Sequence, residues 1–570
     1  MKNYLIAIVI LGCLLRLYGI SFGLPYLYHQ DEPVTVGVAL KFGTGDLNPH
    51  YFAHPHLLHY LLFGVYGFIF VIGHFLHTFH SVLEFQNLFF RDPSLFYGVG
   101  RSFCAMLGTA TIWITYAYGK RLYGPLVGLV SSLFMATSFL HVRNSHYVRH
   151  DIPVTFMVLL SSLFVLGVLE RGEKKDYFYA GLLLGLTVVT NWNGILVGAS
   201  LLLAALLRKE ALKKNVSDLL LSGGAAFIAP FAGSPFVFLD ANRNFKELFF
   251  LFSVPHHGVS SGPSVGISST GWSRYLFHYL RIGMGWPLEA LALVGIAWLF
   301  MRRQKKDLVF LSFPVLYFCF VGRFHSSVRA EYILPILPFL YLSAALVVVR
   351  CAGFFQEKRR PLLLSLFLLA LISLPAADSI RHDYLITQKD TRTLAKEWVE
   401  RNIPPETKIA MEKYIYLRAW VPPLLETKEE NLRVLDVIRR QNPSKGKTRE
   451  GLSLVESSSP RYALVEVAPA GHLVDEFESR YTLDELLKKK VEYVILSSFI
   501  KDFRNVAFDP VRRQFYKELS ERGKLVKRFS PFKNGVPEVR QDHATHTPLE
   551  GLWTLKRPGP IIEIYRLNRT

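Results

Sequence analysis

Twelve long apolar segments limit what this chain can fold into more than any other feature of its sequence. A helix that crosses a membrane needs roughly 20 mostly apolar residues. The segments that approach this length are 4–20, 57–79, 98–118, 124–140, 152–170, 177–190, 194–207, 216–232, 280–300, 308–322, 332–350 and 362–378. Only 19% of the 570 residues are charged, against about 25% in average soluble domains. We therefore predict an α-helical polytopic membrane protein and exclude a soluble or disordered one.

Basic clusters between the segments set their direction, because Lys and Arg are retained on the cytoplasmic side of a membrane. The clusters occupy every second loop and lie at 120–121, 171–175, 208–214, 302–306 and 350–360. If Lys2 is cytoplasmic and all twelve segments cross, every one of these clusters falls outside. Removing one crossing restores the rule, and 57–79, which is interrupted by glycines and flanked by histidines, is the best candidate. We predict about eleven spans, with 57–79 interfacial or re-entrant.

This topology divides the chain into a membrane domain, 1–378, with a first outer loop at 21–97, and an outer C-terminal part, 379–570. In the C-terminal part, helix-like stretches alternate with β-branched runs, which predicts a small soluble α/β domain rather than an all-β one. The predicted helices are 391–402, 481–490 and 510–522, and the predicted strands are 408–411, 462–467, 491–496 and 560–567. We expect a multi-pass protein of the inner or plasma membrane whose C-terminal domain and active site are extracytoplasmic.

The formal charge of +20 is shared between these two parts. Residues 1–378 carry 30 Lys and Arg against 18 Asp and Glu, and 379–570 carry 35 against 27, which gives +12 and +8. Because the first part is too apolar to form a nucleic-acid surface and its basic residues mark topology, a nucleic-acid partner is not predicted. Membrane lipids are predicted as partners instead.

An acidic pair, Asp31-Glu32, follows the first apolar segment by a few residues. Charges near a membrane core are costly and are candidates for function. Adjacent carboxylates repel each other, so that one of them could act as a base. The alternative is that both residues simply open a helix near Pro33, since acidic residues are favoured at helix N-termini.

Three further sets of polar residues lie at the same outer boundary. The turn 141–153 contains Arg143, Arg149, three histidines and Asp151, although an outer loop should be poor in arginine. The second set is Arg323-Phe324-His325 with Arg329-Ala330-Glu331-Tyr332, and the third is Arg101. The fork-shaped guanidinium group suits phosphate oxygens, while the alternative for the turn is that Asp151 caps a helix and pairs with Arg149. An anionic lipid head group lies at this depth, and a polyprenyl phosphate carrying a sugar is such a ligand.

These residues resemble a known family, the GT-C membrane glycosyltransferases of the protein O-mannosyltransferase and aminoarabinose-transferase type, which use polyprenyl-phosphate sugars. The resemblance covers nearly the whole membrane domain. Its motifs are Asp31-Glu32, Asn48-Pro49-His50-Tyr51-Phe52, His54-Pro55, Gly100-Arg101, Arg143, Ser145-His146-Tyr147, Asp151-Ile152-Pro153-Val154-Thr155-Phe156, Arg329, Tyr332-Ile333-Leu334-Pro335, Pro338, Asp390-Thr391-Arg392, Ala395, Trp398 and Ile403-Pro404.

The resemblance implies transfer of a sugar to an acceptor hydroxyl on a protein, lipid or glycan. The family assigns the catalytic base to the aspartate of the first outer loop, which matches Asp31, and Glu32 stands beside it as the second catalytic candidate. We hypothesise an inverting single displacement with an oxocarbenium-like transition state. The residues expected to bind the substrate are Arg101, Arg143, His146, Arg149, Asp151, Arg323, Arg329 and Tyr332.

Two alternatives remain open. No metal ligand is assigned, but a divalent metal is possible, because His50, His54, His56 and His59 could supply imidazole ligands, of which His54 and His56 are weak candidates. Their spacing suits no single element, which favours structural histidines. A different class of function is a transporter or flippase of lipid-linked sugars. That class needs ionisable groups at mid-depth and usually an internal repeat, whereas here the charges cluster at one face.

Overall fold

The computed structural model describes residues 1–208, 212–253, 271–323, 328–354, 356–412, 418–429, 459–467, 482–502, 510–538 and 549–567. The α-helices of the membrane domain are Lys2–Leu17, Glu32–Lys41, Leu57–Phe75, Val82–Arg91, Ser94–Tyr123, Pro125–Thr137, Phe139–Ser145, Asp151–Glu170, Lys174–Val188, Val197–Leu206, Leu212–Gly233, Phe236–Leu239, Ala241–Ser253, Gly271–Arg274, Leu280–Met284, Trp286–Arg302, Lys305–Gly322, Leu337–Ala352 and Arg360–Ile386. Shorter helical turns are Phe42–Thr44, Trp192–Leu196, Tyr275–Tyr279 and Ala330–Ile336. Helices therefore dominate the membrane domain, as the apolar segments predicted.

Five helical stretches of the described residues are long and apolar enough to cross a membrane, or six if one bent pair counts as a single span. They are Leu57–Phe75, Asp151–Glu170, Val216–Gly233, Ala330–Ala352 and Arg360–Asn402, and the pair is Pro125–Thr137 with Phe139–Ser145, bent by 59°. Length and composition thus do not confirm eleven spans, and that number stays a prediction. Leu57–Phe75 itself meets the criterion, so its interfacial placement also stays a prediction.

The predicted first outer loop, 21–97, contains three helices, Glu32–Lys41, Leu57–Phe75 and Val82–Arg91, that pack against the N-terminal part of the helix Ser94–Tyr123. Val36 and Ala39 of the first helix are buried against Leu58 and Leu62 of the second. Phe96, from the helix Ser94–Tyr123, lies in the same apolar cluster. Burying these side chains is favourable by about 25 cal/mol per Å² of apolar surface. The helices that follow Asp31 are therefore held together by a shared apolar cluster.

The C-terminal part contains a six-stranded sheet with helices, which agrees with the predicted α/β domain. Its strands are β1 (Lys408–Glu412), β2 (Leu425–Glu426), β3 (Arg461–Val467), β4 (Tyr493–Ser497), β5 (Gly523–Phe529) and β6 (Ile562–Leu567), in the order β2-β3-β1-β4-β6-β5. The first four strands are parallel, and β6 pairs antiparallel with both β4 and β5. Its helices are Thr391–Asn402, Leu483–Lys488, Ser498–Lys501 and Pro510–Arg522, with a short turn at Arg418–Trp420.

The junction between the two parts is a continuous helix. Arg360–Ile386 runs through the predicted boundary at 378/379, and the next helix begins only at Thr391, after the cap residue Asp390. The junction also contacts the first outer loop, since the Tyr28 hydroxyl lies 2.6 Å from the Thr393 hydroxyl. The Tyr28 ring faces the Arg392 guanidinium at 3.9 Å. The C-terminal part therefore contacts the first outer loop at Tyr28, three residues before Asp31.

Candidate active site

Glu32 and Arg101 form a buried ion pair. Both side chains are fully buried, and the guanidinium binds the carboxylate through two atoms, Nε to Oε1 at 2.9 Å and Nη2 to Oε2 at 2.7 Å. The backbone N–H of Val148 donates to the same Oε1 at 3.1 Å. Gly100 allows this approach, because a Cβ there would lie 3.0 Å from the Val148 side chain. The pair therefore joins the first outer loop to the turn 146–150 and offers no surface to a substrate.

Asp31 has the opposite surroundings although it precedes Glu32 directly. Its side chain is 37% exposed, and its Oδ2 atom lies 3.4 Å from Nη2 of Arg149 and 3.8 Å from Nη1 of Arg329. As the N-cap of the helix Glu32–Lys41, it makes no side-chain cap hydrogen bond. Its carboxylate therefore faces two guanidinium groups at the end of a helix and remains accessible.

Arg149 is the centre of a group that we name the acid–arginine cluster: Asp31, Arg149, Asp151, Arg329 and Glu331. Nη1 of Arg149 donates to Oε1 of Glu331 at 2.9 Å, and Nε lies 3.3 Å from Oδ2 of Asp151. Burial alone lowers the pKa of Arg149, but Asp151, Glu331 and Asp31 outweigh it and raise that pKa well above its ordinary value. The guanidinium is thus a permanent cation held by three carboxylates.

His29 binds the backbone of Asp31. The imidazole is fully buried, its Nδ1 accepts the backbone N–H of Asp31 at 3.2 Å, and its ring lies 4.4 Å from the Tyr147 ring. Burial first, and then the positive charge of Arg149, lower the pKa of His29 well below its ordinary value. His29 is therefore neutral and fixes the backbone at Asp31.

Among the described residues, the other histidines of the predicted first outer loop do not form a group whose ligand atoms lie close enough together to hold a metal. Both nitrogens of His56 are engaged, Nδ1 with Ser234 Oγ at 2.8 Å and Nε2 with the Tyr51 carbonyl. Burial lowers the pKa of His56 to about 4. His54 is exposed and stacks on His150, with ring centroids 4.7 Å apart. The weak metal candidates His54 and His56 thus share no common ligand point in the described structure.

Within the described residues, the group whose ligand atoms lie close enough to hold a metal is His146, His382 and Asp383. Nε2 of His146 lies 3.7 Å from Asp383, but it also lies 3.0 Å from the Tyr18 carbonyl. Arg16, fully buried, interacts electrostatically with the same Asp383. Like charges repel strongly in a buried environment, so a dication beside Arg16 is unfavourable and the group fits an internal hydrogen-bond network. His146 is consequently remote from solvent and does not face the acid–arginine cluster in any described contact.

Three other predicted substrate ligands differ in position. Arg143 is fully buried in the short helix Phe139–Ser145. Arg323 is exposed, with its guanidinium 4.4 Å from the Phe320 ring centroid. The Tyr332 side chain is half-buried, and its backbone carbonyl accepts the Tyr317 hydroxyl at 2.9 Å. His325, named with Arg323 in the sequence, lies outside the described residues.

The structure thus brings together Asp31, Arg149, Asp151 and Arg329 of the predicted set, and separates Glu32 and Arg101 from them as a closed pair. Sequence reasoning did not single out Glu331 or His29. Both lie within a few residues of a predicted position, in Arg329-Ala330-Glu331-Tyr332 and in His29-Gln30-Asp31-Glu32. Glu331 could have been found from the sequence, because it is an acidic residue within a set of basic residues at the predicted outer boundary.

The chain is similar in sequence and in fold to known glycosyltransferases. Residues 98–233 match the family described as dolichyl-phosphate-mannose-protein mannosyltransferase. No curated protein matches the sequence. Among solved structures, the Archaeoglobus fulgidus oligosaccharyltransferase tethered with an acceptor peptide containing the NVT sequon has a TM-score of 0.53 and 13% identity, over 93% of this chain and 73% of that one.

A second solved structure covers both chains almost completely. It is ArnT from Cupriavidus metallidurans in the apo state, with a TM-score of 0.52 and 14% identity, over 99% of this chain and 98% of that one. At such identities the likeness shows a common fold. The predicted fold class and the resemblance to GT-C glycosyltransferases are confirmed, and the matched family is one of glycosyltransferases.

Proposed function

We propose that this protein transfers a sugar from a polyprenyl-phosphate donor to an acceptor hydroxyl, on the extracytoplasmic side and with inversion, and that Asp31 is the general base. The observation that carries the proposal is the accessible carboxylate of Asp31 facing two guanidinium groups. A base and an anion-binding group in one site are what displacement of a sugar from a phosphate requires. The family description, with its dolichyl-phosphate-mannose donor, supports the donor class.

The reaction is a single displacement. Asp31 takes the proton of the acceptor hydroxyl, whose oxygen forms a bond to the anomeric carbon. The bond from that carbon to the phosphate oxygen breaks, and the lipid phosphate leaves with the electron pair. The carboxylate also stabilises the positive charge of an oxocarbenium-like transition state.

Arg149 and Arg329 hold the phosphate charge that develops. Both guanidiniums are partly accessible, at 11% and 21% exposure, and both are oriented by Glu331. Preorganised donors of this kind typically contribute about a hundred- to a thousandfold in rate. Glu32 and Arg101 have a different role here from the one that the sequence indicated: fully buried, they position the helix that carries Asp31.

The test is a reconstituted transfer assay. Purified protein in liposomes is given radiolabelled polyprenyl-phosphate sugars and candidate acceptors, and glycoside formation is followed on each side of the bilayer. We expect product from the wild type and a loss of about a hundred- to ten-thousandfold for Asp31→Asn, with unchanged folding. Asp46→Asn, an exposed carboxylate of the same loop that pairs with His50 at 2.8 Å, is the matched control.

Two results contradict the proposal. Wild-type turnover in Asp31→Asn removes that residue from the mechanism. Movement of the labelled lipid across the bilayer without glycoside formation favours a flippase instead. Mass spectrometry of outer glycoconjugates from cells with and without the protein then identifies the sugar and the acceptor.

A further inference from the structure

We infer that the donor phosphate and the Asp31 carboxylate compete for the same two guanidinium groups, so that donor binding itself releases Asp31 for its work as a base. This inference rests on the proposed function and extends it, since it concerns the order of events within that site. The inference depends on a difference in strength: the ion pairs of Asp31 are weaker than those that Glu331 and Asp151 make in the same cluster.

The ion pairs of Asp31 are the weak ones. Oδ2 of Asp31 lies 3.4 Å from Arg149 and 3.8 Å from Arg329. Charged hydrogen bonds are typically about 2.7–2.9 Å long. With 37% of its side chain exposed, Asp31 is also partly hydrated. A phosphate oxygen that binds these guanidiniums at full hydrogen-bond length would displace it.

The other carboxylates would keep the guanidiniums in place during such an exchange. Glu331 is almost fully buried and accepts from Arg149 at 2.9 Å, and Asp151 lies 3.3 Å from Nε of the same side chain. Glu331 also lies 3.8 Å from Arg329. Because Glu331 contacts both guanidiniums, the departure of Asp31 leaves both cations anchored.

Charge balance argues in the same direction. The cluster contains three carboxylates and two guanidiniums, so it already has an excess of one negative charge before a ligand arrives. A phosphodiester adds another negative charge, and like charges within a few ångströms repel. If the phosphate replaces Asp31 at Arg149 and Arg329, the two guanidiniums do not have to bind both anions at once.

The experiment measures the affinity of each variant for farnesyl phosphate and, in parallel, for inorganic phosphate, by calorimetry on the purified full-length protein in detergent. If Asp31 competes with the ligand, Asp31→Asn binds farnesyl phosphate more tightly than the wild type, by about two- to thirtyfold. Arg149→Ala binds it more weakly. Asp46→Asn is the control and binds as the wild type does. Thermal unfolding verifies the fold, and Asp31→Ser repeats the test without an amide.

Equal or weaker binding by Asp31→Asn and Asp31→Ser overturns the exchange, and the proposed function then still stands if Arg149→Ala loses affinity. Absence of binding by every variant overturns the phosphate site and the exchange with it. Binding of inorganic phosphate with the same rank order supports the exchange and identifies the phosphate group alone as the competitor. If the variants show that rank order with farnesyl phosphate but not with inorganic phosphate, the exchange is also supported, and the lipid chain is needed for binding.

Discussion

Asp31 and Glu32 are neighbours in the chain, yet the two acid–arginine contacts that they form differ in every physical respect. Glu32 and Arg101 are fully buried, joined by two short hydrogen bonds, and supported by a backbone N–H. Asp31 is accessible and shares one oxygen between two guanidiniums at longer distances. The first contact is closed to solvent and joins parts of the fold, whereas the second is open to solvent and contains the proposed base.

The difference follows from the geometry of a helix start. Consecutive residues at an N-terminus point in directions about 100° apart, so that Glu32 enters the core while Asp31 stays partly exposed. An acidic pair in a sequence therefore divides into a structural and a chemical residue without any change of residue type. Four variants test this division.

The largest effect is expected for Glu32→Ala. Arg101 would then remain buried without its carboxylate, and breaking a buried pair in this way costs about 3–5 kcal/mol. The free energy of unfolding in detergent measures it. Glu170→Ala is the matched control, because Glu170 pairs with Arg121 at the surface, where a pair is worth about 0–1 kcal/mol. Equal losses in the two variants would mean that the Glu32 pair is not closed to water.

Arg149→Ala is the corresponding test on the accessible side. We expect the transfer rate to fall about a hundred- to a thousandfold, which corresponds to about 2.7–4 kcal/mol, because a preorganised phosphate donor is lost. Arg149→Lys should recover only part of the rate, since an ammonium lacks the planar fork. Arg281→Ala, on an exposed side chain, should leave the rate unchanged. A wild-type rate in Arg149→Ala contradicts the assignment.

A pH-dependent effect is expected for His56, which resembles Glu32 in being buried with its polar atoms engaged. Its pKa is about 4 in the folded protein and about 6.5 when unfolded. The unfolded state therefore binds the proton first, and stability falls as the pH drops from about 6.5 toward 4. The loss attributable to His56 between pH 7 and pH 5 is about 2 kcal/mol.

His56→Gln should remove that part of the pH dependence, and unfolding at pH 7 and at pH 5 measures it. The exposed His80→Gln serves as the control. An identical slope with pH in the wild type and in His56→Gln would show that His56 does not titrate in this range.

The smallest effect is expected for Asp151→Asn. Asp151 contacts Nε of Arg149, but Glu331 holds the same guanidinium more closely. Loss of one partly redundant charged contact is worth about 0.5–1.5 kcal/mol, or about two- to tenfold. We expect the KM for the donor to rise by this factor, with little change in kcat. A thousandfold loss would instead assign Asp151 a direct part in the chemistry.

Much of the architecture was predictable from patterns in the sequence. The helices 391–402 and 510–522 and the strands near 408, 462, 493 and 562 occur where hydrophobic alternation and helical spacing placed them. The strand β5, Gly523–Phe529, was missed because its charged residues, Lys524, Lys527 and Arg528, hide the alternation. The two-residue strand β2 is too short to leave a pattern.

Within the candidate site, residue type was easier to predict than surroundings. The sequence indicated Asp31, Arg149 and Arg329 as functional, and the structure brings them together. It also grouped Arg101 and Arg143 with them, because all are arginines at the outer ends of apolar segments. Which arginine is enclosed by neighbouring helices depends on contacts far apart in the chain, such as Arg101 with Glu32, and no local pattern records these.

The contact of Tyr28 with Thr393 and Arg392 has a consequence for protein engineering. The C-terminal domain looks like a separate module, one that could be exchanged between enzymes to change the acceptor. Its first helix, however, contacts Tyr28, three residues before the proposed base. A chimera that receives a foreign C-terminal domain would need the matching 21–31 segment as well, so the unit of exchange is the pair of segments, not the domain.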